Sequence, residues 1–227
     1  MKTIGIVIAD EYEYLPFLRL AASYGTVEES TCRSRPCARL TLNNCRITAV
    51  SCGIGKVAAA TAAAFLIADE KADCIFNIGL SGAVSGLLEG DIALGAAFVE
   101  CDFDLTAIGR KQGENPSKPW LHEADKALLE KAQAILQVKT AAFGCGDLFL
   151  ADPIKKEFFK DTFHINAFDM ETGAIASVCE AANIPFLSLR QMSDSADDAS
   201  AETYTAVNNT QPEDLAKLLL QFIAAMD

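Results

Sequence analysis

Apolar and polar positions along the chain fall into blocks that predict alternating strands and helices. The opening run Thr3–Ala9, TIGIVIA, is continuously apolar, as expected of a strand covered on both faces. The segment ADEYEYLPFLRLA then turns helical, with Pro16 expected in the first turn, where a missing N–H is tolerated. Arg39–Leu42 and Arg46–Ser51 are predicted strands joined at Asn43-Asn44, a pair suited to the positive φ angles of a tight hairpin. Gly53 and Gly55 then lead the chain into an alanine-rich helix. Cys74–Gly79 is another short apolar strand, opening onto the expected glycine-rich loop LSGAVSGLLEGDI, and Ile92–Cys101 is the next strand.

Lys111–Trp120 is polar, contains two prolines and is expected on the surface. Leu121–Leu136 has apolar residues at helical spacing, namely Ala124, Leu128, Leu129, Ala132 and Ile135. Thr140–Gly144 is a predicted strand, and Asp152 an N-cap before Pro153. Phe168–Asp198 contains a strand end, a helix with Ala174, Ile175, Val178 and Ala182 on one face, and a stop at Asn183-Ile184-Pro185. A buried strand, Phe186–Leu189, and an acidic loop complete that stretch. Gln211–Ala225 is the closing helix, apolar at Leu215, Leu218, Leu219, Phe222 and Ile223. The alternation predicts one α/β domain over residues 1–227, a central mixed β-sheet flanked by helices.

Composition narrows the partners. The net charge of −12, from 19 basic and 31 acidic residues, argues against nucleic acid, which needs a basic footprint. The apolar run before Asp10 is too short for a signal-peptide core. Val57–Ala68 is alanine-rich and interrupted by Thr61, so no membrane span is expected. The eight cysteines, at positions 32, 37, 45, 52, 74, 101, 145 and 179, show no CxxC or CxH spacing. Neither a metal site nor a cofactor is indicated, and reduced, buried thiols in the cytoplasm are expected.

Carboxylates supply the candidate chemistry. Asp10, Glu11 and Glu13 cluster where the first strand meets its helix, and Glu171 opens the helix after Met170. The positive end of a helix dipole favours acids at both places. Arg190, Ser193 and Asp194 follow a buried strand, where open α/β sheets place ligands. Gly53-Ile54-Gly55-Lys56 is not a phosphate-binding loop, because its spacing differs and Val57 follows the lysine.

Several of these stretches together carry a resemblance. SCGIGKVAAA, CGDLFL, FDMETGAIASVC and NIPFLSLRQMSD resemble motifs of the methylthioadenosine/S-adenosylhomocysteine nucleosidases of the nucleoside phosphorylase superfamily. The likeness covers about residues 3 to 223. It implies a nucleoside phosphorylase-like fold and hydrolysis of the N-glycosidic bond of an adenosine-type nucleoside, as in methionine salvage. It implies Asp194 as the acid that protonates adenine at N7, Glu13 as the partner of the attacking water, and Glu171 as the acceptor for ribose hydroxyls. Met170 would pack under the sugar and Tyr204 over it, Phe149 and Leu150 would hold the adenine, and Ile54 would wall the ribose side. Arg190 is expected to order the acidic loop.

The family's Gly-Ala-Met before the acids is here Ile8-Ala9-Asp10, which puts a carboxylate where an alkylthio group is expected. Leu80 stands where many members carry a small or polar residue, with Ser81 beside it to compensate. DFDLTAIG resembles the segment through which family members form a homodimer, and Pro116 would reach toward the partner's pocket. Two alternatives stay open: a phosphorylase of the same fold, and a non-catalytic nucleoside-binding relative.

Overall fold

The computed structural model describes residues 1–226; Asp227, the last residue of the expected domain, lies outside the described residues. The chain begins with β1 (Lys2–Ile8) and α1 (Glu11–Ala21), then β2 (Val27–Cys32), β3 (Arg35–Leu42), β4 (Cys45–Ser51) and α2 (Lys56–Ala68). β5 (Cys74–Ala83), β6 (Ile92–Glu100), β7 (Leu121–Glu123), α3 (Lys126–Leu136), β8 (Lys139–Cys145) and α4 (Pro153–Phe163) follow. β9 (Ala167–Asp169), α5 (Thr172–Ala182), β10 (Phe186–Asp194), α6 (Ser200–Asn209) and α7 (Asp214–Ala224) end it.

The sheet is mixed, and β5 is its pivot. It runs parallel to β1 on one side and to β10 on the other, and its end pairs antiparallel with β9. β10 pairs with β6, β6 with β8, and β8 with β9, so β5, β10, β6, β8 and β9 close into a ring. Beyond β1, the strands β4, β3 and β2 continue as an open sheet. Side chains alternate across the sheet, which explains the unbroken apolar runs: both faces are covered. Ile4, Ile6 and Ile8 of β1 pack with Phe17 of α1 and with Leu219, Phe222 and Ile223 of α7. Val7 and Ile75 face the other way, against Ala59, Ala63 and Leu66 of α2 and Ile175 of α5.

Several expectations need correction. Pro16 lies sixth in α1, inside the helix, so no N–H is available there for the Tyr12 carbonyl. Leu121–Glu123 is not helical; it pairs antiparallel with β6, and the helix starts only at Lys126, capped by Asp125. The stretch Leu80–Ala83 is not a loop: β5 continues through it because β10 and β9 supply hydrogen-bonding partners. β10 likewise runs past Leu189 to Asp194, so Arg190, Ser193 and Asp194 sit on the strand. Ser200–Asn209 forms a helix, α6, and the closing helix begins at Asp214 rather than Gln211. Cys32 and Cys37 form a disulfide across the β2–β3 hairpin, against the expectation of reduced thiols, whereas Cys52, Cys74, Cys101, Cys145 and Cys179 are free thiols, buried as Cys45 also is.

Candidate active site

The C-terminal ends of β1, β5 and β10, with β9 and the segment after β8, surround a cavity of about 330 Å³. Ten of the residues singled out in the sequence line it: Asp10, Glu13, Ile54, Ser81, Phe149, Leu150, Met170, Glu171, Asp194 and Tyr204. It is large enough for a small ligand.

Glu13 is the third residue of α1. Its Oε1 accepts the Leu80 N–H at 2.6 Å, and its Oε2 accepts the Asp10 N–H at 3.3 Å, which completes a capping box with Asp10. Burial pushes its pKa up from 4.5 to about 7, against the pull of Arg190.

Asp10 is not a free carboxylate in the cavity. Its Oδ1 caps α1 by accepting the Tyr12 N–H at 2.9 Å. Its Oδ2 accepts the Tyr204 hydroxyl and the Asn208 amide, both at 3.3 Å. Tyr204 also meets Phe149 edge to face, with ring centres 5.5 Å apart. Phe149 remains 45% exposed, so its ring is accessible to a flat ligand.

Glu171 opens α5 but does not cap it. Asp169 holds the helix start instead, its Oδ1 accepting the N–H groups of Glu171 and Thr172, both at 2.8 Å. The Glu171 carboxylate turns away, accepting the Gly55 N–H at 3.0 Å and the Arg190 Nη2 at 3.2 Å. Gly55 leads into α2, and Asp147 accepts the next N–H, of Lys56, at 2.7 Å. Two free N–H groups at the start of α2 are thus satisfied from distant parts of the chain, and the same bonds position Glu171. Burial holds the Glu171 carboxyl above the usual range, with Asp169 adding to it against Arg190.

Arg190 is the hub, and it does not order an acidic loop. It is 2% exposed and donates to Ser81 Oγ at 3.0 Å, Asn77 Oδ1 at 3.2 Å, Leu80 O at 2.6 Å and Glu171 Oε2. Asp169 lies 3.8 Å from its Nε. Burial disfavours the charge on Arg190, but Asp169, Glu171 and Glu13 outweigh this and raise its pKa. The guanidinium needs the bare backbone of Gly79, where an added Cβ would lie 2.5 Å from Nη1 and 3.0 Å from Glu13 Oε1. Ser81, a candidate ligand contact, spends its hydroxyl on Arg190.

Asp194 is 2% exposed and forms no ion pair among the described residues. Its Oδ1 accepts the Ala196 N–H at 2.9 Å, and its Oδ2 accepts the Ser193 hydroxyl at 2.7 Å. Register shifts between Met192 and Asp194, so that Asp194 rather than Ser193 comes opposite Gly82; such a bulge re-aims a side chain.

A family model for the phosphorylase superfamily matches residues 3–224. A 5′-methylthioadenosine/S-adenosylhomocysteine nucleosidase of Geobacillus sp. (strain WCH70) is 32% identical over 193 residues, covering 82% of this chain and 83% of that one. The chain belongs to this nucleosidase family. It is thereby an enzyme of the N-glycosyl hydrolase class, as the motifs implied. The nucleosidase family is also represented by a structure from Streptococcus pyogenes, an S-adenosylhomocysteine nucleosidase in complex with 5-methylthiotubericidin. That structure superposes with a TM-score of 0.91 at 28% identity, over 100% of this chain and 98% of that one. The fold is shared with a futalosine hydrolase of Helicobacter pylori, at a TM-score of 0.94 and 24% identity over the full length of both chains.

Asp169, Gly79 and Asn208 escape a reading of the sequence alone. Asp169 left a usable trace, an acid three residues before Thr172 at a helix start. Asn208 left none, because SAETYTAVNN lacks an apolar stripe. Among the described residues no group of three or more His, Cys, Asp or Glu is placed to hold a metal.

Proposed function

We propose that this nucleosidase hydrolyses a 5′-modified adenosine to adenine and the free ribose derivative, with Asp194, Glu13 and Glu171 in distinct roles. The observation that carries this proposal is three carboxylates from three elements on one cavity, without an unpaired cation among the lining residues. Asp194 donates a proton to adenine N7 as the C1′–N9 bond breaks and positive charge spreads over the sugar ring. Water attacks C1′ and gives up its proton to Glu13, whose pKa of about 7 suits a base near neutral pH. Glu171 accepts the ribose hydroxyls, Met170 supports the sugar, and Phe149 and Leu150 hold the base. Ile54, Asp10 and Tyr204 border the 5′ end.

Hydrolysis is favoured over phosphorolysis by the charge around the sugar position. Phosphate requires cations or several N–H donors, and the one cation lining the cavity among the described residues, Arg190, is already surrounded by Asp169 and Glu171. The test is adenine release with phosphate omitted and then added at millimolar levels, with identification of the sugar product. Equal rates and a free ribose derivative are expected. Formation of a ribose 1-phosphate, or activity only with phosphate, would replace this proposal with a phosphorylase.

The proposal extends to a cytoplasmic homodimer. No helix among the described residues is long and apolar enough to cross a membrane, and the free buried thiols of Cys52, Cys74, Cys101, Cys145 and Cys179 suit a reducing compartment, with the Cys32–Cys37 bridge as the exception. Ile54, Ile108 and Phe149 are exposed apolar residues, two of them on the cavity, and Ile108 belongs to the DFDLTAIG segment expected at the dimer contact. Light scattering at micromolar concentration should give twice the chain mass of 24.3 kDa; a fully active monomer would exclude the dimer.

A further inference from the structure

The cavity does not end at the ribose position. Asp10 and Ile54 also line a neighbouring groove of about 590 Å³, whose other walls include Glu11, Glu29, Arg35 and Gly53. If the nucleoside lies as proposed above, a long 5′ substituent leaves the cavity between Asp10 and Ile54 and enters this groove. Arg35, the first residue of β3, is exposed, and its side chain makes no hydrogen bond or ion pair among the described residues. Nearby arginines are committed: Arg33 pairs with Asp69 and Arg39 with Glu70, each at 2.6 Å, and Arg19 with Glu213 at 3.3 Å.

Gly53, just before Ile54, has φ +88°, and an added Cβ would lie 3.1 Å from Arg35 Nη1. The guanidinium therefore lies against the loop that borders the cavity. Its planar fork matches a carboxylate. Asp10 is unavailable to a ligand cation, because Tyr12, Tyr204 and Asn208 already occupy its oxygens. Glu11 and Glu29 remain as acids on the same groove. Among the described residues the groove thus offers one free cation, Arg35, and two acids, Glu11 and Glu29, besides the committed Asp10.

We propose that Arg35 is a specificity-determining residue that binds a carboxylate at the far end of the 5′ substituent. Glu11 and Glu29 favour an ammonium beside that carboxylate. The substrates selected are then adenosine derivatives with an amino-acid tail, over those with a short uncharged 5′ group. This inference rests on the nucleosidase proposal and adds a residue and a direction of selectivity to it.

The test is the kinetics of adenine release from S-adenosylhomocysteine, its methyl ester and methylthioadenosine, by the parent protein, Arg35→Ala and Arg35→Lys. Arg35→Ala should lower kcat/KM for S-adenosylhomocysteine about tenfold, mainly through KM. That is the low end for a charge-assisted hydrogen bond, because the site is solvated. The methyl ester and methylthioadenosine should change less than twofold, Arg35→Lys should recover part of the loss, and added salt should weaken the selectivity. Equal effects of Arg35→Ala on all three nucleosides, or no effect on any, would overturn the role of Arg35 while leaving the hydrolase intact. Release of adenine from none of them would overturn both.

Discussion

Replacing Glu13 with glutamine removes one ionisable group while preserving its shape. The rise from 4.5 to about 7 comes from burial. At about 1.4 kcal/mol per tenfold change in proton affinity, it amounts to about 3 kcal/mol. The folded state of an acid with a raised pKa holds its proton where the unfolded chain has released it. The stabilisation from this group is complete below about pH 4.5 and is lost as pH rises through about 7. Glutamine has no such dependence. It does lose one acceptor, since its amide nitrogen would face either the Leu80 N–H or the Asp10 N–H, at a cost of about 1 kcal/mol. The two stability curves should therefore cross, with the parent more stable at pH 5 and Glu13→Gln more stable at pH 8. Urea midpoints at pH 5, 6, 7 and 8 measure this directly. In the same series, kcat/KM of the parent should rise toward a plateau above pH 7 as the carboxylate forms, and the variant should be slower by about 10²–10⁴. Parallel stability curves would refute the buried, neutral Glu13, and a variant within threefold of the parent would remove it from the chemistry.

Asp194→Asn should slow turnover by about 10²–10⁴ with unchanged circular dichroism; activity within threefold of the parent would leave Asp194 as a structural acid only. Arg190→Met strands Glu171 and Asp169 without their buried cation and should cost about 3–5 kcal/mol in urea unfolding, so an unchanged midpoint would contradict the hub. Asp10→Ala removes the cap of α1, worth about 1 kcal/mol, and frees Tyr204. The ratio of kcat/KM for methylthioadenosine to that for adenosine should rise, and a constant ratio would show that Asp10 does not influence the 5′ position.

Local sequence was enough for those parts of the protein whose cause is local. The apolar runs at Thr3–Ala9 and Cys74–Gly79 specified strands covered on both faces, because no alternating solvent face interrupts them. Asn43-Asn44 specified a hairpin, and Asp152-Pro153 a helix start. Motif wording carried the family, and ten of the residues named beside those motifs line one cavity. Tertiary structure decided whatever depends on a partner distant in the chain. β5 and β10 extend past their apolar runs because each supplies the other's hydrogen bonds, which turned an expected loop and an expected acidic segment into strands. Leu121–Glu123 became a strand because the edge of β6 was free to receive it. Glu171 had the signature of a helix-opening acid, yet Asp169 caps that helix and Glu171 is drawn to Gly55 and Arg190. Asp10 looked like an unpaired charge in an apolar pocket until α6, invisible as an amphipathic pattern, brought Tyr204 and Asn208 to it. Buried charge lies beyond any local rule: the state of Glu13 and the placement of Arg190 depend on which groups the fold brings together out of water.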